Sequence, residues 1–249
     1  MTQLTWDGCV NVRDLGGLPT EDGRLTRAGA LVRADNIQSL TDEGWDALVA
    51  YGVRRVVDLR HRRELDTDAP RKRPVEIVHV SLMGDWDTET QAEYDARMDA
   101  SPAAEPYLVW SYLDILARFR ENVAAAATAV AEAPGDGGVV VHCLGGKDRT
   151  GLMSALALRV AGVEVPVVAA DYALTEANLA ARAHAWIGAA PDEAEGHRRR
   201  IMQPTPPSVM STVLDSVESR HGSAAGYLID AGATAETVER LRRRLLGAP

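Results

Sequence analysis

The sequence predicts an α/β fold, with a central, mostly parallel β-sheet flanked by helices. Strand-like and helical segments alternate along the chain, which is the pattern of parallel sheets. Residues 139–142, Val-Val-Val-His, are short, apolar and β-branched, as expected for a central strand covered on both faces. A glycine-containing loop follows, and then an apolar helical segment at 150–160. The 249 residues, 46% of them hydrophobic, are expected to form a single domain over 1–249.

The first part of the chain contains one clear helix followed by a strand. Residues 11–17 end in two glycines and predict a turn-rich entry. Apolar residues recur at helical spacing over 41–51, and Gly52 is a stop signal. The β-branched segment 53–59 predicts a buried strand, and residues 75–82 predict another.

The middle of the chain is less regular. Residues 83–106 are acidic, rich in alanine and interrupted by prolines, which indicates an insertion or loop over the core. Helical spacing over 106–133 predicts one long helix that stops near Pro134. Further helices are predicted at 166–186, 208–220 and 234–246.

Composition excludes several classes of function. The formal net charge of -9 makes nonspecific binding to nucleic acid or to anionic membranes unexpected. Only Cys9 and Cys143 occur, far apart, so neither a disulfide framework nor a zinc site is indicated. The first residues lack a signal-peptide pattern and no apolar run has membrane-spanning length. We therefore expect a cytoplasmic protein without stable membrane insertion, with export by another route left open.

The loop after the central strand has the features of an anion-binding site with a nucleophile at its base. Cys143 comes first and Arg149 stands six residues later, directly before the helix. Successive backbone N–H groups can surround a tetrahedral dianion there, and the positive end of the helix dipole adds to the attraction. Gly145 and Gly146 allow the backbone to curl. The expected phosphate-binding residues are Leu144, Gly145, Gly146, Lys147, Asp148 and Arg149.

The same positive field is expected to act on the cysteine. A thiolate that faces a helix N-terminus and neighbouring cations is stabilised, so we expect Cys143 to be largely ionised at neutral pH. Arg149 can grip two phosphoryl oxygens at once with its planar guanidinium. The hydroxyl of Thr150 is placed to donate a hydrogen bond to the sulfur and to ease its departure from phosphorus. These residues predict phosphoryl transfer through a phosphocysteine intermediate.

The leaving group of such a reaction needs a proton, and three carboxyl groups are candidates to supply it. Asp148 lies in the loop itself and is the first choice. Asp58 ends a strand that should lie near the loop, and Asp85 follows the strand at 75–82. Their order of preference is Asp148, Asp58, Asp85.

Residues 142–151, His-Cys-Leu-Gly-Gly-Lys-Asp-Arg-Thr-Gly, resemble the H-C-x-x-G-K-D-R-T-G signature of bacterial tyrosine phosphatase-like enzymes. Residues 11–17, Asn-Val-Arg-Asp-Leu-Gly-Gly, are similar to the family's N-terminal motif, in which an aromatic residue usually stands at the position of Val12. Weaker similarities lie at 31–35, 57–60 and 226–228.

The resemblance implies a cysteine-phosphatase-like sheet and helices, with no metal and no cofactor. It also implies extra C-terminal helices, of which residues 180–207 correspond to a helical lid over the pocket. The implied partners are phosphotyrosine-containing proteins, with phosphoserine or phosphothreonine proteins and phosphoinositides as further substrates. Inorganic phosphate or another oxyanion is expected to bind in the loop.

Other polar residues near these motifs have two interpretations. Arg13 and Asp14 either shape a turn or line the site. His142 is expected to hold the loop through a ring hydrogen bond, without proton transfer. The basic segment 54–73 is expected to be a solvated face on which Arg60 pairs with Glu64, with a phosphoinositide headgroup patch as the minority interpretation.

Two alternative functions use the same loop. The first is a phosphate-binding pseudophosphatase, which the intact Cys143, Arg149 and Thr150 oppose. The second is sulfur transfer, or arsenate reduction, for which Cys9 is weak support as a resolving thiol. A nucleotide-binding P-loop is rejected, because Val141 and Asp148 stand where glycine and Ser/Thr are needed.

Overall fold

The structure is a computed structural model that describes residues 1–66, 68, 74–84 and 86–247. Within these residues six strands form one sheet: β1 (Thr2–Gln3), β2 (Arg13–Asp14), β3 (Leu31–Ala34), β4 (Val53–Asp58), β5 (Glu76–His79) and β6 (Gly138–His142). Their order across the sheet is β1-β2-β3-β6-β4-β5. Strands β3, β6, β4 and β5 are parallel, whereas β1 and β2 pair antiparallel at one edge. The predicted mostly parallel α/β fold is confirmed.

The helices of the described residues cover both faces of the sheet. They are α1 (Asp42–Ala50), α2 (Arg62–Leu65), α3 (Thr88–Asp99), α4 (Ala104–Arg118), α5 (Arg120–Ala131), α6 (Asp148–Val160), α7 (Val165–Gly188), α8 (Glu193–Met202), α9 (Pro207–His221), α10 (Ala224–Asp230) and α11 (Ala235–Leu246). A short 3-10 helix lies at Ile37–Ser39. None of the described helices combines the length and the apolar character needed to cross a bilayer.

Strand β6 is buried on both faces, as its composition predicts. Val139 and Val141 belong to the large core beneath α4–α7 and α9–α11. Val140 belongs to the smaller core on the other face, which includes Trp45 of α1 and Val56 of β4. Since side chains alternate along a strand, the continuous apolar segment of β6 packs into both cores.

Of the two interpretations of residues 83–106, the loop is wrong, because α3 and the start of α4 occupy most of this segment; an insertion stays a prediction. Asp87 caps α3 by accepting a hydrogen bond from the N–H of Thr90. Tyr94 and Met98 of α3 are buried in the large core. Pro106 lies in the first turn of α4, where the missing N–H has no helical partner in any case.

The single helix predicted over 106–133 is also wrong, because the chain forms two helices joined at Phe119. This residue leaves helical geometry (φ -111°, ψ 27°) while its N–H still bonds to the carbonyl of Ile115. Its ring stacks on Trp86 at 6.2 Å between centroids. The bend therefore comes from tertiary packing, and no glycine or proline marks it in the sequence.

The other predicted elements lie close to their observed counterparts. The helix at 41–51 is α1, and the strand at 53–59 is β4; the strand predicted at 75–82 is limited to β5. Residues 180–207 contain the end of α7 and all of α8, which contacts α3 and α4. Both the lid function of this segment and the single domain over 1–249 stay predictions.

Candidate active site

Cys143 lies immediately after β6, at the carboxyl edge of the parallel strands. In open α/β sheets this edge is where ligands bind. The side chain of Cys143 is only 2% exposed and faces a cavity of about 400 Å³. The cavity is lined by Asn36, Ser39, Cys143, Leu144, Gly145, Lys147, Asp148, Arg149, Leu179, Arg182, Ala183, Trp186, Met202 and Gln203. The structure thus brings the predicted nucleophile and the predicted cations to one concave site.

Two buried side chains hold the carbonyls of the glycines in the loop from behind. The amide of Asn11 donates to the carbonyl oxygens of Gly145 and Gly146, at 3.0 and 3.2 Å. Arg33 donates to the carbonyl of Gly146 at 2.7 Å. Because these oxygens point away from the cavity, the peptide N–H groups between them are turned towards it.

The remaining carbonyls of the loop are held in the same way. The carbonyl of Leu144 accepts a hydrogen bond from the N–H of Asn36 at 3.0 Å, and that of Lys147 from the N–H of Gly151 at 2.9 Å. No described acceptor takes a hydrogen bond from the N–H groups of residues 144–147. Four successive carbonyls are thus engaged outside the loop, which leaves its donors for an anion.

Gly146 is the position at which the loop requires glycine. Its φ is +65°, in the left-handed region, and an added Cβ would lie 2.4 Å from the carbonyl oxygen of Ala34. At Gly145 an added Cβ would meet Leu179 at an ordinary 3.6 Å. The two glycines therefore differ, although both were expected to serve the curl of the loop.

A buried cluster of charges lies directly behind the loop. Arg13 Nε and Arg33 Nη1 each donate to a different oxygen of Asp171, both at 2.6 Å. Burial raises the pKa of Asp171, but the charges of Arg33 and Arg13 outweigh it and lower that pKa. Arg13 also donates to Asn11 Oδ1 at 2.6 Å. Arg13 therefore supports the loop from behind and does not line the cavity.

Asp14 shapes the N-terminal turn. Its oxygens accept hydrogen bonds from the N–H groups of Gly16 and Gly29, at 3.0 and 2.8 Å, and from the hydroxyl of Tyr51 at 2.7 Å. It is buried and does not line the cavity at Cys143. Asp14 is therefore a structural residue of the turn.

Arg149 is held by Glu64 through two parallel hydrogen bonds, a contact that sequence reasoning missed. Nη2 donates to Oε1 at 3.0 Å, and Nη1 donates to Oε2. Burial lowers the pKa of Arg149, but the negative charges of Cys143 and Glu64 outweigh it and raise that pKa. Glu64 is itself fixed in α2 by a capping box with His61.

The expected pairing of Arg60 with the Glu64 side chain is wrong. The guanidinium of Arg60 instead donates to the carboxylates of Asp58 and Asp68, each at 2.7 Å. Arg60 also donates a hydrogen bond to the backbone carbonyl of Glu64 at 3.5 Å. The Glu64 carboxylate bonds to Arg149 and to the N–H of His61.

Asp148 is bonded on one oxygen by two donors. Lys147 Nζ donates to its Oδ1 at 2.8 Å, and the hydroxyl of Tyr112 donates to the same atom at 2.5 Å. The hydroxyl of Tyr172 lies 2.8 Å from that of Tyr112. Burial raises the pKa of Asp148, but the Lys147 charge and these hydrogen bonds outweigh it and lower that pKa.

Of the other two carboxyl candidates, only Asp58 can be placed relative to the cavity. Asp58 is buried and forms a salt bridge with Arg60. Burial raises the pKa of Asp58, but His142 and Arg60 outweigh this effect and lower that pKa. Asp58 is absent from the residues that line the cavity at Cys143. Asp85 lies outside the described residues. His142 Nδ1 lies 3.1 Å from the carbonyl oxygen of Cys143, which agrees with a structural role for this ring.

The expected hydrogen bond from Thr150 to the sulfur is not formed in this structure. The Thr150 hydroxyl is fully buried, and among the described residues it has no hydrogen-bond partner. A buried hydroxyl without a partner is costly. Its place in the first turn of α6 keeps it next to the loop.

A second cavity of about 400 Å³ adjoins the first and shares Asp148, Arg149 and Met202 with it. Its walls are mainly apolar and aromatic, with Trp86 and Tyr107 among them. Met202 lies at the end of α8. The charged groups of the site therefore face two cavities.

The fold and this site define an α/β protein with a cysteine at the base of an anion-binding loop, at the carboxyl edge of a parallel sheet. Residues 4–247 match the model of the tyrosine phosphatase family. The chain belongs to this family, as its signature predicts.

Curated relatives agree with that assignment. A "Tyrosine-protein phosphatase" of Nostoc commune is 29% identical over 234 residues, covering 88% of this chain and 74% of the relative. The "Triple specificity protein phosphatase PtpB" of Mycobacterium tuberculosis is 27% identical over 274 residues, covering 96% of this chain and 98% of the relative. Family membership implies a phosphatase that acts on phosphorylated substrates.

Proposed function

We propose that the protein hydrolyses phosphotyrosine in proteins through a phosphocysteine intermediate on Cys143. The observation that supports this most is the loop at the carboxyl edge of β6. Its carbonyls are held outwards, and Cys143, Lys147 and Arg149 face one cavity. A tetrahedral anion in that cavity meets N–H donors, two cations and a nucleophile.

In the first step the Cys143 sulfur attacks phosphorus in line with the leaving oxygen. The sulfur–phosphorus bond forms while the bond from phosphorus to the phenolic oxygen breaks. Asp148 donates its proton to that oxygen. The loop N–H groups and Arg149 stabilise the charge on the equatorial oxygens.

In the second step water hydrolyses the phosphocysteine. The carboxylate of Asp148 accepts a proton from the attacking water, the sulfur–phosphorus bond breaks, and inorganic phosphate leaves. Cys143 returns as a thiolate, and Lys147 and Arg149 stabilise it. Asp148 is thereby protonated again for the next substrate.

The rim of the cavity favours an aromatic leaving group. Leu144 and Trp186 are 56% and 42% exposed there, and Leu179 lies beside them. Apolar side chains at the mouth of a charged pocket suit a phenyl ring better than a polar chain. Phosphoserine, phosphothreonine and phosphoinositides are proposed as further substrates; the mycobacterial relative is named for a triple specificity.

The test is steady-state hydrolysis of a phosphotyrosine peptide, with phosphoserine peptides and phosphoinositides alongside. Cys143→Ser should abolish turnover and still bind phosphate, and acid quenching of the wild-type protein should trap phosphate on Cys143. Cys9→Ser is the matched control, since Cys9 contacts the carbonyl of Asn36 and should be dispensable. Turnover by Cys143→Ser would refute the mechanism. Phosphate binding without turnover by the wild-type protein would identify a pseudophosphatase.

A further inference from the structure

The carboxyl group of Asp148 has two unlike oxygens. Oδ1 accepts hydrogen bonds from both Tyr112 and Lys147, at 2.5 and 2.8 Å. Among the described residues, Oδ2 has no hydrogen-bond partner. The side chain is 28% exposed and lines both cavities. An oxygen that accepts from two donors is the poorer place for a proton, so a protonated Asp148 carries its hydrogen on Oδ2.

We infer that Tyr112 is a positioning residue for the acid: together with Lys147 it fixes Oδ1, so that Oδ2 presents the transferable proton. The inference rests on the proposed function; it adds Tyr112 as a positioning residue and Oδ2 as the atom of Asp148 that carries the proton. Tyr112 lies on α4, 36 residues before Asp148, and outside every motif of the sequence.

The hydrogen-bond chain has a fixed direction. Tyr112 has one hydroxyl proton, which it donates to Asp148, so at the 2.8 Å contact it accepts from Tyr172. Chains of this kind strengthen each hydrogen bond within them. Tyr172 is thus a second donor, one step further from the carboxyl group.

Packing fixes both hydroxyls in space. The rings of Tyr112 and Tyr172 are each 1% exposed, and they meet edge to face at 6.2 Å and 86°. Gly151 of α6 leaves room for the Tyr172 ring, because a Cβ there would lie 3.2 Å from it. Three helices therefore determine where the Tyr112 hydroxyl lies.

The charge around Asp148 sets the expected effect of pH. Lys147 and Arg149, its neighbours in the chain, act on it together with Tyr112 of α4. Tyr107 of α4 and Tyr172 of α7 interact with its charge. Glu64 of α2 and Cys143 each line a cavity that Asp148 also lines. The hydrogen bond from Tyr112 favours the carboxylate and contributes to the lowered pKa of Asp148. Removing it should raise that pKa, so proton donation should persist to higher pH.

The test compares two leaving groups over a range of pH. Phenyl phosphate needs a proton on its leaving oxygen, whereas 2,4-dinitrophenyl phosphate does not. Tyr112→Phe should lower kcat/KM for phenyl phosphate about 10-fold and shift its alkaline limb to higher pH, because general acid catalysis is worth about 100-fold or more in full. For 2,4-dinitrophenyl phosphate the change should stay within about twofold.

Three further variants complete the design. Asp148→Asn with Tyr112→Phe should be no slower than Asp148→Asn alone, because a positioning residue acts only through its acid. Tyr172→Phe should give a smaller loss of kcat/KM for phenyl phosphate. If Tyr112→Phe does not fold, this variant tests the positioning role instead. Tyr227→Phe is the control, since its buried hydroxyl donates to the carbonyl of Leu116.

The outcomes separate this inference from the proposed function. Equal slowing of both substrates by Tyr112→Phe, or an unmoved pH profile, would overturn the positioning role while hydrolysis itself stands. Additive losses in the double variant would do the same. Absence of turnover by the wild-type protein on either substrate would instead overturn the proposed function.

Discussion

At the scale of single residues, the loop depends on one glycine more than on the other. Gly146 has positive φ and touches the backbone of Ala34, whereas Gly145 has space for a methyl group. Ala34 belongs to β3, which is packed in the sheet and cannot yield easily. A side chain at Gly146 would therefore displace the loop itself.

We expect Gly146→Ala to weaken inhibition by inorganic phosphate by about 10-fold or more, because overpacking costs about 1–3 kcal/mol and left-handed alanine adds strain. Gly145→Ala is the matched control and should stay within about threefold of wild type. The inhibition constant of phosphate with an aryl phosphate substrate measures both. Equal weakening by the two variants would show that the curl needs both glycines.

The site residues that the sequence could predict are those that neighbour one another in the chain. Cys143 and Arg149 follow from their spacing alone, because the loop between them is a local structure. Asn11 and Glu64 contact the same loop from 134 and 85 residues away. Their placement depends on the sheet and on α2, so spacing along the chain does not predict these contacts. The resemblance at 11–17 includes Asn11 in a motif without indicating what it contacts.

At the scale of elements, the sequence predicts helices and strands that have a regular apolar pattern, and it misses features that are set by tertiary packing. The apolar run of β6 and the spacing of α1 are local signals, and both elements are where they were expected. Helix α3 is polar over most of its surface and attaches through Tyr94 and Met98, so its composition resembles a loop. The bend at Phe119 is set by contact with Trp86.

Helix α8 is attached to the rest of the molecule by Ile201, which is buried in the large core, and by charged pairs with α3. Arg198 pairs with Asp99 at 2.7 Å and with Asp95 at 3.5 Å, both on α3. All three side chains are partly exposed, so these pairs are screened and individually weak. Met202 at the end of α8 borders both cavities. A helix held in this way suits the predicted lid function of residues 180–207.

We expect Arg198→Ala to raise kcat/KM for a phosphotyrosine peptide by up to about fivefold, because a weaker attachment of α8 eases entry of a bulky substrate. A small aryl phosphate should be turned over as by wild type. Added salt should reproduce part of the effect in the wild-type protein. Arg240→Ala, which breaks an exposed pair with Glu236 on α11, is the control. Equal effects on both substrates would contradict the lid.

At the scale of the whole molecule, one buried carboxylate joins the sheet to a helix behind the active site. The two carboxylate oxygens of Asp171 in α7 accept hydrogen bonds from Arg13 of β2 and Arg33 of β3. Arg33 donates a hydrogen bond to a carbonyl of the loop. Arg13 donates to Asn11, which in turn donates to the same loop carbonyl. The stability of the fold and the geometry of the loop therefore depend on the same charges.

Asp171→Asn should lower the free energy of unfolding by about 3–5 kcal/mol at pH 7, since removing one charge from a buried cluster leaves the others uncompensated. The pKa of Asp171 is lowered in the folded protein. The carboxylate thus stabilises the fold fully above the unfolded value of about 3.9, and this contribution disappears as the pH falls through the lower, folded pKa. Urea unfolding of both proteins at several pH values should show a difference that is constant near neutrality and shrinks below about pH 4. Glu236→Gln, on the exposed face of α11, should change little at any pH. A difference that does not depend on pH would mean that the carboxylate charge is not what joins the sheet to α7.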